Sequence, residues 1–433
     1  MSATGLPGAG PSGPLGAGRP AVEFLFSLER FGMKFGLANI TTLCAALGHP
    51  QDAFPSIIVA GTNGKGSVTA MVDAALRAAG HRSARYTSPH LQRLEERFVI
   101  DGREVAPETL DAAAARIQAA VEDLVASGGL AALPTFFECT TAVAFELFRE
   151  ARVDVAVLEV GLGGRLDSTN VVSPVAAAIV SIDFDHEEQL GHTLASIAAE
   201  KAGVIKPGIP VVCGPLPAEA LDVIAGICER QRARLIRTDA DPALAARAAA
   251  MPIALAGEHQ QANAAVAVRL LEAIDHEVAP GLRVGADAIR AGIATVAWPG
   301  RLETVTRGDC RILLDAAHNP AGTRALASYL RQAAPGGVTL VFGAMRDKAV
   351  REMLTALAPA TAAIVCTTAQ GARAMPAGEL AALAGSLGLR AAAIADPVEA
   401  VTRACEDGRP VVVAGSIFLV GPVRNWLARD ILR

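Results

Sequence analysis

Two kinds of apolar run alternate along the chain. Short, mostly apolar stretches, SIIVA (56–60), VDVAVLEVG (153–161) and VAAAIVSID (175–183), have the character of central parallel strands covered on both faces. Longer segments with helical spacing lie between them, at 66–79, 107–126, 138–150 and 194–202; the first closes at Gly80 and the last at Gly203. ARYTS (84–88), PVVC (210–213) and RLIR (234–237) read as further strands, and 259–274 and 285–295 as helices. WPGR (298–301) breaks the pattern, and a second alternation follows: RILLD (311–315), a helix over 320–333, VTLVFGA (338–344), a helix over 347–357, AAIVCTT (362–368), AAAIA (391–395), PVVVAGS (410–416) and a last helix from 421. Repeated strand–helix alternation predicts two doubly wound α/β domains. The expected boundaries are a disordered Gly/Pro-rich tail at 1–20, a first domain at 21–297, a linker at 298–303 and a second domain at 304–433.

At 433 residues, 52% of them hydrophobic, the chain has enough apolar material for two cores. Only 4% of residues are aromatic, so those cores must be built from Ala, Val, Leu and Ile. A net charge of −5 with no basic run argues against a nucleic-acid partner, and no segment reads as a membrane span. The tail lacks the basic start and apolar stretch of a signal peptide. The 7 cysteines stand singly, without a CxxC pair, which predicts reduced thiols in a cytoplasm rather than a disulfide framework or a zinc site. A monomer is expected. Five lysines (Lys34, Lys65, Lys201, Lys206 and Lys348) stand among 34 arginines. Lysines that survive such a bias are candidates for tasks that Arg cannot perform, such as carbamate formation or a tight phosphate loop.

Gly61-Thr62-Asn63-Gly64-Lys65-Gly66-Ser67 lies between a predicted strand and a predicted helix. Backbone N–H groups of such a loop, with the helix N-terminus behind them, suit a triphosphate, and Lys65 would meet its β- and γ-phosphates. The segment departs from the Walker pattern, with Val59 and Gly66 at positions that take Gly and Ser/Thr. The first domain is therefore predicted to be P-loop-type and doubly wound, and the smaller second one Rossmann-like. Ser88, Glu159 and His186 fall just past strand ends, the edge of an open α/β sheet where ligands collect. Ser67 or Ser88, with the carboxylate and the imidazole, can hold Mg²⁺. Lys201, late in its helix, reads either as a charge facing the helix dipole or as a lysine that takes up CO₂.

GTNGKGS, Thr87-Ser88-Pro89-His90-Leu91, Thr135-Phe136-Phe137-Glu138 and Glu159-Val160-Gly161-Leu162-Gly163-Gly164-Arg165-Leu166-Asp167 form a set with Asp185-His186, Glu200-Lys201-Ala202-Gly203, Gly257-x-His259-Gln260-x-x-Asn263, Trp298-Pro299-Gly300-Arg301 and Asp315-x-x-His318-Asn319-Pro320. In this order and spacing they resemble the bacterial folylpolyglutamate synthase/dihydrofolate synthase family, within the wider group of ATP-dependent Mur ligases, from about residue 22 to the C-terminus. The resemblance implies an ATP- and pterin-binding first domain and a glutamate ligase second domain. It implies that Gly64, Lys65, Gly66 and Ser67 hold ATP phosphates, with Asn263, Arg301 and Asp315 as further ATP contacts. Ser88 and Glu159 would hold one Mg²⁺, and His186 with a carbamate on Lys201 a second. Thr135, Phe136, Phe137 and Glu138, with Leu166, Asp167 and Ser168, would hold the pterin. Lys65, Lys201 and His318 are the catalytic candidates. Ala316, Ser168 and Phe418 stand where the family usually has Gly, Ala and Tyr.

The implied reaction joins L-glutamate to dihydropteroate or tetrahydrofolate. A carboxylate is a poor electrophile, so ATP first converts it to an acyl phosphate, which the amine attacks. Three other readings compete. A cell-wall ligase of the same superfamily needs an extra N-terminal domain, for which the sequence before Gly61 leaves no room. A P-loop switch or motor needs an adjacent carboxylate to hold Mg²⁺ and position water, and often a partner surface; a non-catalytic binding protein would have lost polar residues that this chain keeps.

Overall fold

The computed structural model describes residues 19–31, 36–130, 132–274, 279 and 281–431. Residues 1–18 of the expected tail, and Lys34, lie outside them. Eight strands form the first sheet among the described residues: β1 (Ser56–Ala60), β2 (Ser83–Tyr86), β3 (Phe98–Ile100), β4 (Arg103–Glu104), β5 (Val155–Glu159), β6 (Ala176–Ile179), β7 (Pro210–Cys213) and β8 (Arg234–Arg237). Their order is β4-β3-β2-β5-β1-β6-β7-β8, parallel except at the β3–β4 edge. Six more, β9 (Glu303–Arg307), β10 (Cys310–Leu314), β11 (Val338–Phe342), β12 (Thr361–Cys366), β13 (Ala391–Ala393) and β14 (Val411–Ala414), form a second sheet in the order β13-β12-β11-β14-β10-β9. Only β9 runs antiparallel there.

Helices cover both faces of the first sheet, and the strands divide their side chains accordingly. Ile57 and Val59 join one core with Val68, Met71 and Val72 of the helix Lys65–Ala78. Ile58 and Ala60 join another with Ile197 and Ala198 of the helix Leu194–Lys201. Successive strand residues point to opposite faces, so an unbroken apolar run is what two covered faces require. Alanine-rich β6 lets helices lie close to the sheet, and all four of its residues are buried.

The apolar pattern therefore places the central strands and the α/β class correctly. It misses shorter elements: helices at Pro20–Ser27, Ala38–Ala46, Ala218–Gln231, Pro242–Ala249, Ala377–Ser386 and Pro397–Cys405, and the edge strands β3, β4 and β9. The last helix starts at Ile417, before the expected 421, and runs through Pro422. Proline has no N–H to offer the carbonyl one turn back, and that carbonyl, of Phe418, accepts from Gln370 N at 3.1 Å instead. No described helix is long and apolar enough to cross a membrane.

One expectation is overturned. Cys310 and Cys405 form a disulfide, tying β10 to the end of the helix Pro397–Cys405, while Cys44, Cys139, Cys213, Cys228 and Cys366 are free and buried. Isolated spacing could not reveal a pair 95 residues apart that folding brings within 5.6 Å between Cα atoms. Closing so long a loop removes unfolded-chain entropy worth about 4–5 kcal/mol in the chain-entropy account. The native protein should therefore be lighter by two hydrogens than its reduced form in intact mass spectra. Cys310→Ser should lower the melting temperature in oxidising buffer and leave it unchanged under reductant.

Candidate active site

Strand order reverses at β1, which has β5 on one side and β6 on the other. The crevice outside strand ends at such a point collects ligands. Four adjacent strands deliver the site: β2 leads to Ser88, β5 ends on Glu159, β1 leads into Gly61–Ser67, and β6 leads to Ser181–His186. The loop is pinned from several sides. Thr62 N donates to Ser181 O at 2.8 Å, Asn63 N to Ser181 Oγ at 2.9 Å, and Ser181 Oγ to Asn63 O at 2.9 Å. Gly64 caps the helix at φ 83°, and a Cβ there would sit 2.5 Å from Asn263 Oδ1 and 2.8 Å from Val180 Cγ1, so only glycine fits. Asn263 donates to Gln260 Oε1 at 2.9 Å, and Gln260 to Ser67 Oγ at 3.3 Å, which ties the helix Glu258–Ala273 to the loop.

Two amines converge on the carbonyl of Gly61. Lys65 Nζ donates to Gly61 O at 3.0 Å and Thr62 O at 3.2 Å; Lys201 Nζ donates to Gly61 O at 3.1 Å. Burial lowers the pKa of Lys65, and burial with the nearby Lys65 charge brings Lys201 down to about 7. Glu159 is 5% exposed rather than solvated; burial raises its pKa against the pull of Lys65, and it accepts from Ser88 N at 3.1 Å. His186 stands on the other side of the loop, in a left-handed conformation (φ 53°), with its pKa lowered to about 4 by burial and by Lys348. Its imidazole is neutral near pH 7. The described residues contain no cluster of three or more His, Cys, Asp or Glu arranged for a metal.

The second sheet presents the ends of β10, β11 and β14 to this edge. Asn319, the N-cap of the helix Pro320–Ala333, exchanges amide hydrogen bonds with Asn63 (3.0 and 3.2 Å) and donates to Asp185 Oδ2 at 2.9 Å. Lys348 reaches Asp185 Oδ1 at 2.6 Å and His186 Nε2 at 3.4 Å. Although burial pushes the Asp185 carboxyl up, the charge and hydrogen bond of Lys348 hold it below the usual carboxylate range. His318 bonds Ala316 O through Nδ1 at 2.9 Å, and burial lowers its pKa to about 4. Asp315 is buried with raised pKa, accepting from Leu302 N and Ala317 N at 3.0 Å each; Arg301, half-buried, lowers it in part. Ala316 needs no glycine, since its φ is not positive.

The remaining candidates line a neighbouring region. Thr135 and Glu138 cap the helix Phe136–Ala151 reciprocally, with Glu138 accepting from Thr135 N at 2.7 Å, and Asp167 is spent on Thr169 and Leu162 N–H. These carboxylates shape loops. Buried Ser168 and half-buried Leu166 follow them. Phe137 stacks on Tyr86 at 6.0 Å and lies under Gly161, while Phe136 carries the Arg97 guanidinium 5.1 Å above its ring. Sequence reasoning did not single out Arg97, Asn63, Asn319, Asp185, Gln260 or Trp298 as site residues. Among them, Asn63, Asp185, Gln260, Trp298 and Asn319 stand inside quoted motifs, which is the signal that pointed there; Arg97 does not.

The chain is similar to several known proteins. The family described as Mur ligase, glutamate ligase domain, matches residues 300–417. Folylpolyglutamate synthase of Lacticaseibacillus casei is 34% identical over 94% of this chain and 97% of its own length. Dihydrofolate synthase/folylpolyglutamate synthase of Mycobacterium tuberculosis is 35% identical over 91% and 90%. The chain spans about half (51%) of a 35% identical Haloferax volcanii relative, a probable bifunctional folylpolyglutamate synthase/dihydropteroate synthase. Crystal structures of the M. tuberculosis folylpolyglutamate synthase with ADP and AMPPCP, and of Escherichia coli FolC with DHPP and ADP, superpose with TM-scores of 0.84 and 0.83 at 33% and 31% identity. Each covers 95% of this chain, and 99% and 98% of the solved chains respectively. The chain belongs to the folylpolyglutamate synthase/dihydrofolate synthase family.

Proposed function

We propose that this chain is an ATP-dependent, ADP-forming ligase that adds L-glutamate to dihydropteroate, giving dihydrofolate, and to tetrahydrofolate, giving folylpolyglutamate. The observation that carries the reading is the meeting of two sheet edges. The phosphate loop with its two buried amines faces Asn319, Lys348 and His318 from the second sheet. Relatives solved with ADP and DHPP, and with Mn, AMPPNP and L-glutamate, support the same choice of substrates.

In this reading the substrate carboxylate attacks the γ-phosphorus of ATP, the bond to the bridging oxygen breaks, and ADP leaves. The glutamate amine then attacks the acyl carbon, and phosphate departs with the C–O electron pair. Lys65 and the free N–H groups at Gly64–Ser67 receive the β- and γ-phosphates. Asn263, Arg301 and Asp315 hold the rest of the nucleotide. Neutral His318, fixed through Nδ1, orients a phosphate or the glutamate. Phe136, Phe137 and the loop shaped by Glu138 and Asp167 receive the pterin, with Thr135, Leu166 and Ser168 beside it.

The donor set fits divalent cations. Among the described residues the buried Glu159 carboxylate accepts one hydrogen bond, from Ser88 N, and His186 is a neutral imidazole. Ser88 and Glu159 would hold one Mg²⁺, and His186 and a Lys201 carbamate a second. When bound, the ions offset repulsion between ATP and the incoming carboxylate. A Lys201 amine poised near pH 7 is free to take up CO₂, forming an N–C bond and releasing a proton.

ADP release with dihydropteroate plus glutamate, compared with tetrahydrofolate plus glutamate, tests the two activities; turnover indifferent to both pterins refutes the reading. Lys65→Ala and Glu159→Ala should each lower ligation by at least about a hundredfold while the melting temperature holds. Lys201→Ala should lose activity and regain part of it with short carboxylic acids. With ¹³C-bicarbonate, a carbamate resonance should grow as pH rises through about 7, where the amine loses its proton, and be absent from Lys201→Ala.

A further inference from the structure

The linker between the sheets is fastened to the phosphate loop at one residue. A Cβ on Gly66 would lie 2.5 Å from Cζ2, 2.9 Å from Cε2 and 3.0 Å from Nε1 of Trp298. The indole edge therefore rests on the backbone of the first helical turn, beside N–H groups that have no partner within the helix. The ring is itself clamped. Arg85 stands 5.4 Å from its centroid, and Arg85 Nη1 is bound at 3.0 Å by Asp73. Asp73 is fully buried and also accepts from Ser83 Oγ at 2.5 Å and Arg77 Nε at 3.4 Å. The other side of Trp298 packs on the core that holds the same helix. Three residues further on comes Arg301, whose charge bears on Asp315, Glu159 and Lys65 together.

We propose that Trp298 is a positioning residue for the nucleotide: the indole, held by Arg85 and Asp73, sets the spacing between the phosphate loop and the linker that carries Arg301. A flat rigid ring against a glycine fixes that distance more sharply than aliphatic packing, because the glycine has no side chain and the indole is one rigid plate with only two torsions, clamped by Arg85. Gln260 and Asn263 hold the loop from the other helix, so it is set between two fixed contacts. The same contact makes Trp298 a reporter of nucleotide. This inference rests on the ATP reading above.

Trp298 and Trp426 are the 2 tryptophans of the chain, so Trp426→Phe leaves Trp298 as the only indole. In that variant, AMPPNP with Mg²⁺ should change the emission saturably, whereas L-glutamate alone should not. Trp298→Leu should raise KM for ATP about tenfold. KM for glutamate and for dihydropteroate, and the melting temperature, should stay near parent values, and Trp298→Phe should recover most of the loss. Silent emission under saturating AMPPNP overturns the proposal, as does a parallel rise in all KM values or a fall in melting temperature that Trp298→Phe also shows. Turnover by the parent separates these outcomes from failure of the ATP reading itself, since an enzyme that turns over ATP with pterin and glutamate keeps that reading whatever Trp298 does.

Discussion

Lys65 and Lys201 both hydrogen-bond to the carbonyl of Gly61, in the crevice where the first sheet reverses its strand order. Like charges in a dry place repel, and burial penalises each. With both amines charged the loop gains from an anion: a polyphosphate answers Lys65 and the N–H groups of the first helical turn, and the carbamate proposed for Lys201 would remove the second charge. Glu159 and Asp185, with Glu159 and His186 set to either side by β5 and β6, keep the positive charge from being excessive. Their uneven environments also separate their states. Glu159 is drawn toward protonation by burial, while Asp185 is kept ionised by the Lys348 ammonium.

A single-sheet site would leave the γ-phosphate facing water. Here the second sheet supplies the opposite wall through Asn319, Lys348 and His318, and Asp185 is the residue on which all three bear. A reactive acyl phosphate has to be shielded from hydrolysis, and a cleft between two lobes provides that shielding without demanding a new covalent group from the protein. The chemistry asked of the chain is mainly positioning and charge balance, which is why so much of the site is backbone amide, paired carboxamide and buried amine.

Much of this was legible in the sequence, and the part that was not has a common cause. Near-continuous apolar runs announced β1, β5 and β6, because strands covered on both faces leave polar residues such as Ser56 and Glu159 only at their ends. Gly64-Lys65-Gly66 announced the loop because few other chemistries need that succession between a strand and a helix. Local patterns cannot express contacts between distant residues. Asn63 meets Asn319 across 256 positions, Trp298 meets Gly66, and Cys310 meets Cys405 across 95. Each such pair is made of residues that look ordinary singly. The missed strands β3, β4 and β9 lie at sheet edges, where half-buried patterns carry little apolar signal, and the other missed elements were helices.

The account stands on direct contact between a pterin carboxylate and the terminal phosphate of ATP in this cleft. Dihydropteroate labelled with ¹⁸O in its carboxyl group, incubated with ATP, Mg²⁺, glutamate and the protein, measures that contact. Transfer of one carboxyl oxygen into the released inorganic phosphate is the predicted result. Phosphate free of label, formed while dihydrofolate accumulates, would contradict it.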